Sequence, residues 1–212
     1  MNFMDKPVII IGAGGHARVL YDCLRLLGVE VLGALDRCPI LMDKEDSIPI
    51  IGDDSAICAY SNDSVELVNG LGSIGDTSLR TGIYNKFKKQ GYSFRTLIHP
   101  AAIVARGCHL GEGIQVMAGA VINTGTKISA DAIINTGATV DHDCYIGSHA
   151  HIAPGCTISG GVQVGSGTHI GAGATVIQGV VIGDMALVGA GAVVLRDVPA
   201  GVKVVGVPAK VL

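Results

Sequence analysis

From Val104 to Val194 every sixth residue is Val, Leu or Ile, sixteen positions in a row without an insertion, and Ile98 extends the series backwards. Neither a 3.6-residue helix nor a simple hairpin keeps a period of six. Stacked coils of short parallel strands do: each hexad turns one large and one small side chain inward, then bends. The second inward position lies two residues before the aliphatic and is mostly small, from Ala102 through Ala120 and Ala138 to Ala192. Cys108, Cys144 and Cys156 share that position and read as small packing residues. Such a core needs few aromatics. That fits a 212-residue chain with 31 Gly, no Trp and 4% aromatic residues.

The first 97 residues follow another pattern. Val8–Ile11 is a continuous apolar run, as in a strand buried on both faces. Residues 17–27 place apolar groups at helical spacing and stop at Gly28. "VEVLGALD", "SVELVNGLGS" and "YSFRTLIHP" read as further strands, and "TSLRTGIYNKFKKQG" as a second helix. Residues 37–50 lack periodicity and read as a variable loop. The expected division is a small Rossmann-like α/β domain with a parallel sheet over 1–97 and a solenoid over 98–212. Gly12-Ala13-Gly14-Gly15-His16-Ala17 fits G-x-G-x-x-[GA] between strand and helix, and Asp36 follows at the spacing of an acid that meets a ribose. Such a turn offers backbone N–H groups to phosphate at a helix N-terminus. A full dinucleotide fold needs two mononucleotide halves and there is room for one. A nucleoside diphosphate conjugate is therefore expected, rather than NAD or a turn without a ligand.

Composition removes several classes. A net charge of −3 gives no footprint for nucleic acid. No apolar run approaches the ~20 residues of a membrane helix, and the N-terminus reads as a first strand rather than a signal peptide. Six cysteines without CxxC spacing imply neither a metal nor a disulfide framework and fit a reducing cytoplasm.

The histidines carry the chemistry. In "DHDC" (141–144), His142 stands between two acids. A carboxylate bonded to one ring nitrogen fixes the tautomer and raises basicity at the other, as a general base requires. On an isolated solenoid that residue is exposed, so a neighbouring subunit or domain must complete the site. His16 lies in the phosphate turn, within reach of a diphosphate oxygen, and His99 sits at the domain junction. His109, His151 and His169 each precede an inward aliphatic and so face outward. His151 and His169, eighteen residues apart, are expected to stack, which raises zinc, but no third histidine falls in their column.

Taken in order, "IIIGAGGHARV", "VNGLGS", "LIHPAAIVA", "INTGATVDHDCYIG", "HIAPG" and "VVGVPAKVL" resemble a bacterial family of hexapeptide-repeat sugar acetyltransferases with an N-terminal nucleotide-sugar-binding domain. The family includes bacillosamine, viosamine and perosamine N-acetyltransferases, with sialic acid O-acetyltransferases as near relatives. The resemblance implies a C-terminal left-handed parallel β-helix of three hexads per coil, opposite in hand to the usual crossover. It implies a cytoplasmic homotrimer with active sites between subunits. Acetyl-CoA is the co-substrate, with no metal, and the acceptor is the 4-amino group of a nucleotide-linked 4-amino-4,6-dideoxysugar. By motif, His142 is the base and Asp143 orients it. His151 meets acetyl-CoA near the thioester, with Gly160, Ala172 and Ala190 along the cofactor path. Gly14, Gly15 and His16 cradle the diphosphate, and Asp36 and Gly72 hold the nucleoside end. A backbone N–H or His151 steadies the oxyanion. The competing readings are O-acetylation of a sialic acid-type hydroxyl, a non-catalytic solenoid subunit, and a zinc hydratase.

Overall fold

The computed structural model describes residues 6–37 and 47–212. Most of the expected loop at 37–50 lies outside the described residues. The N-terminal part is a four-stranded parallel sheet of β1 (Val8–Ile11), β2 (Val31–Leu35), β3 (Ile50–Gly52) and β4 (Glu66–Asn69), in the order β3-β2-β1-β4. Helices α1 (Gly15–Leu26) and α2 (Ser78–Lys89) cover its two faces. Alternation along β1 explains the double burial. Val8 and Ile10 pack with Leu20 and Leu24 of α1, while Ile9 and Ile11 pack with Phe87 of α2. The sequence reading missed β3, a three-residue edge strand too short to show a period, and the 3-10 turn at Asp54–Ala59. "YSFRTLIHP" is not one strand. Phe94 bridges Leu67, and Leu97–Ile98 already belongs to the solenoid.

From Leu97–Ile98 to Val193–Val194, seventeen two-residue rungs recur every six residues. All but the last three pair in parallel with the rung eighteen residues on, as Ile133 with His151 and His151 with His169. The result is a three-faced left-handed β-helix. Rungs at 97, 115, 133, 151, 169 and 187 form a first face, those from 103 a second, and those from 109 a third. The inward aliphatics and the small residues two places earlier form one continuous core, in which Ile134, Ala150, Ile152 and Cys156 are fully buried. Val204 and Val211 pair antiparallel at the last coil.

The N-terminal part lies on the first face. Outward residues there are covered: Gln115 and Ile133 are buried, whereas Ile103 on the second face and Tyr145 on the third are exposed. One buried polar knot fastens the contact. Arg80 of α2 donates to Asp131 at 2.7 Å, with both side chains inaccessible, and to the carbonyls of Asn69 and Leu71. Asn69 Nδ2 and His149 Nδ1 also meet the Asp131 carboxylate. A buried ion pair holds only when its remaining donors and acceptors are satisfied, and here they are shared across both parts of the chain.

Candidate active site

In a parallel sheet, ligands enter where strand order reverses, beyond the carboxyl ends of the strands. Here that point lies between β1 and β4. The turn after β1 (Gly12–Gly15) and the turn after β4 (Gly70–Ile74) line a pocket of about 690 Å³ that also takes in His16, Asp36, Asn135, Thr136, His151 and Pro154. At its floor α1 begins without a side-chain cap, and its first internal bond runs from Arg18 N to Gly14 O. The preceding N–H groups are those that a helix leaves for a ligand. A Cβ on Gly14 would meet nothing within 4 Å, so bare glycine keeps that approach open. Asp36 accepts from Ala13 N at 2.7 Å, tying β2 to the turn.

A second, shallower groove of about 460 Å³ continues along the solenoid from Ser73 and His151 past His169 to Ala172, Leu187 and Ala190. The structure thus brings Gly14, Gly15, His16, Asp36, Gly72 and His151 into one pocket, and His151, Ala172 and Ala190 into its extension.

His151 points outward from the solenoid, as its phase requires, yet is buried because the β4 turn covers it. Asn135 Oδ1 accepts from Thr136 N, which turns Asn135 Nδ2 toward His151 Nε2 at 3.0 Å. The ring nitrogen at Nε2 is therefore the acceptor, and Nδ1–H donates to Ser73 Oγ at 2.8 Å. Burial first, then the repulsion that a charged His151 would meet from His169, His16 and Arg80, pushes its pKa down to about 3. A neutral ring with Nε2 accepting offers no N–H at that nitrogen to an oxyanion. The expected stack with His169 is instead edge-on: the centroids lie 4.9 Å apart with the planes at 89°. Among the described residues no three His, Cys, Asp or Glu side chains gather as a metal site.

His142 lies elsewhere, at the exposed corner between the second and third faces, separated from His151 by the full width of the second face. Its Nδ1 is 2.9 Å from Asp143 Oδ2, and Asp141 Oδ1 accepts its backbone N–H. The Asp143 hydrogen bond, helped by the Asp141 charge, raises its pKa above the ordinary value. With Nδ1–H committed to Asp143, Nε2 presents a lone pair. Two glycines of adjacent coils shape this dyad. A Cβ on Gly160 would sit 2.7 Å from His142 Nε2, and one on Gly125 would collide with the Asp143 carboxylate. Cys144 is buried beneath, its thiol pKa raised by burial, and donates to the carbonyl of Ser159.

Sequence reasoning missed Arg80, Asp131, His149 and Ser73. A signal for two of them was present. From Gly107 to Gly191 every sixth residue has positive φ, and all but Asp131, Asp143, His149 and Met185 are glycine. A non-glycine residue held there needs a compensating role; Asp143 serves the dyad, and Asp131 and His149 the knot.

Residues 7–87 match the PglD N-terminal domain family, and residues 125–160 match the bacterial transferase hexapeptide family (six repeats). PerB from Caulobacter crescentus, solved in complex with CoA and GDP-perosamine, is 42% identical; the match covers 99% of this chain and 98% of that one, with a TM-score of 0.89. The chain belongs to the hexapeptide-repeat sugar acetyltransferases. A second member of this family, the acetyltransferase domain of PglB from Neisseria gonorrhoeae, solved in complex with acetyl coenzyme A, is 32% identical over 99% of this chain and all of that one, with a TM-score of 0.89. Further structures of the Caulobacter GDP-perosamine N-acetyltransferase carry alanine or asparagine in place of one histidine. In this sugar acetyltransferase the dyad and the pocket occupy different edges of one chain, so the geometry of a single subunit leaves them apart.

Proposed function

We propose that this protein transfers the acetyl group of acetyl-CoA to the 4-amino group of a nucleotide-linked 4-amino-4,6-dideoxysugar. The observation that carries the reading is the end-to-end 42% identity with an enzyme crystallised with CoA and GDP-perosamine. The switch-point pocket supports it independently, since it offers an uncapped helix N-terminus to a diphosphate. We take residues 1–97 as the nucleotide-sugar domain and 98–212 as the acetyltransferase domain. Gly14 and Gly15 receive the diphosphate, Asp36 and Gly72 the nucleoside, and His16 completes the sugar-nucleotide site. Acetyl-CoA follows the groove past His151, Ala172 and Ala190 toward the Gly160 that stands beside a neighbouring subunit's His142.

His142 Nε2 takes a proton from the amine as its nitrogen attacks the thioester carbonyl, Asp143 holds the imidazolium, and CoA leaves as thiolate. The Gly160 N–H, beside the ring, is the oxyanion donor. Because dyad and pocket lie at different corners, the working enzyme is a homotrimer in which one subunit's His142 faces another's pocket. It acts in the cytoplasm, in the biosynthesis of a polysaccharide or protein-linked glycan. The test is CoA release on UDP-, dTDP- and GDP-linked 4-amino sugars and on free sialic acid, beside His142→Ala. Turnover on an amino sugar that is lost in the variant supports the proposal. Turnover on sialic acid alone replaces it with O-acetylation, and silence on all acceptors removes it.

A further inference from the structure

His16 opens α1 on the pocket floor, and its ring is held by the other half of the molecule. Gln115, on the first face, donates through Nε2 to the carbonyl of Asn69 at 2.8 Å. That bond fixes the amide, so Gln115 Oε1 faces His16 Nε2, at 2.7 Å. An acceptor there places the ring hydrogen on Nε2. In a neutral imidazole the remaining nitrogen, Nδ1, is then a lone pair. Among the described residues nothing donates to it, and the ring lines the pocket. The surroundings hold the ring neutral. Burial dominates and Arg80 opposes a second positive charge, against support from Gln115 and Asp131, so its pKa falls to about 4. Asp36, also on the pocket wall, is bonded to Ala13 N, and His151 is itself neutral.

A lone pair repels a phosphate oxygen and attracts a hydroxyl or amine. The backbone N–H groups of the first turn of α1 already supply what a diphosphate needs. Asp36 stands at the β2 end of the pocket, while His16 stands at the solenoid end with Gln115, Asn135 and His151, where the acceptor sugar must lie for acetyl transfer. We infer that His16 reads the sugar rather than the phosphates, its Nδ1 accepting a hydrogen bond from a hydroxyl or amine of the hexose. Gln115 acts through it as the positioning residue that sets the tautomer. The inference rests on the nucleotide-sugar reading above.

Calorimetric titration without acetyl-CoA separates the two. GDP, UDP and dTDP, and GDP-perosamine with its UDP- and dTDP-linked 4-amino-4,6-dideoxyhexose counterparts, are titrated into wild type, His16→Gln and His16→Asn. Glutamine keeps a donor toward Gln115 but nothing at Nδ1; asparagine keeps an acceptor near Nδ1 and loses the Gln115 bond. Thermal unfolding checks that each variant is folded. The expected result is that His16→Gln binds the nucleoside diphosphate within about twofold of wild type and the sugar conjugate about tenfold more weakly, with His16→Asn closer to wild type on the conjugate. Equal weakening of diphosphate and conjugate in His16→Gln overturns the inference. So does a wild-type affinity that gains nothing from the sugar, or a proton taken up on diphosphate binding by wild type and not by the variant, since that makes His16 a cation on the phosphates. If none of the three diphosphates binds wild type, the nucleotide-sugar reading itself has failed.

Discussion

Gly160→Ala is a one-methyl test of the dyad. The added Cβ falls 2.7 Å from His142 Nε2, 2.8 Å from Cε1 and 3.2 Å from Cδ2. To regain ordinary separation the ring must retreat by about 1 Å. The fold tolerates the change, because Gly160 is not among the positive-φ glycines and lies at an exposed corner beside exposed His142. The backbone N–H of residue 160 is retained. What changes is the position of the atom that takes the proton, and a misplacement of that size costs about 10²-fold in rate. Steady-state kcat/KM on the amino sugar that turns over, at saturating acetyl-CoA, reads the loss; the melting temperature should stay within about 2 °C, since surface substitutions fall within ±0.5 kcal/mol. Wild-type kcat/KM in a folded Gly160→Ala protein would mean that His142 does not work from the orientation seen here. A large drop in melting temperature would mean that the glycine serves the coil.

Five other outcomes follow from the same geometry. His142→Ala should lower kcat/KM by about 10²–10⁴-fold with unchanged urea unfolding, and a residual rate near wild type excludes it as the base. The base must be neutral, so kcat/KM should fall with decreasing pH through a pKa that the Asp143 hydrogen bond and the Asp141 charge hold above the ordinary histidine value. Asp143→Asn removes the hydrogen-bonded carboxylate that favours the charged ring and should move that limb to lower pH; an unmoved limb assigns it to another group. Cys144→Ala should retain turnover and trap no acetyl-enzyme in intact-mass spectra, because the buried thiol takes no part in direct transfer. Arg80→Met strands the buried Asp131 carboxylate and should cost about 3–5 kcal/mol in urea unfolding, a loss that a merely superficial ion pair would not produce.

The solenoid was legible because its signal is local and repeated. An aliphatic every sixth residue fixes the inward phase, and each rung in the structure keeps it. The glycine turn and the flanking acids of His142 were legible for the same reason: the residues that act on each other are neighbours in sequence. What stayed hidden depends on contacts between distant segments. His151 reads as an outward residue, and only the approach of Ser73, 78 positions away, buries it and sets its tautomer. Gln115 looks like any polar surface residue of a coil until His16 and Asn69 close on it. Arg80 sits in a helix whose neighbours Lys86, Lys88 and Lys89 advertise a solvated face, yet its charge is wholly buried against a carboxylate 51 positions on. The edge strand β3 escaped because three residues carry no period.

The three site histidines show how one side-chain type acquires different roles. His142 is exposed, and its nearest influences are carboxylates; they favour its charged form, so its neutral form is a strong base. His151 and His16 are enclosed, and burial holds both neutral, at about 3 and about 4. Their tautomers differ because their partners differ. Asn135 donates to His151 Nε2, which sends its hydrogen to Nδ1, whereas Gln115 accepts from His16 Nε2, which empties its Nδ1. In both cases the decisive amide belongs to the first face of the solenoid and is itself fixed by a backbone partner, Thr136 N or Asn69 O. The rigid coils therefore do more than carry the dyad. They set the hydrogen-bonding sense of the pocket contributed by the α/β half. A substitution at Asn135 or Gln115 should thus change which ligand the pocket accepts before it changes how fast His142 works.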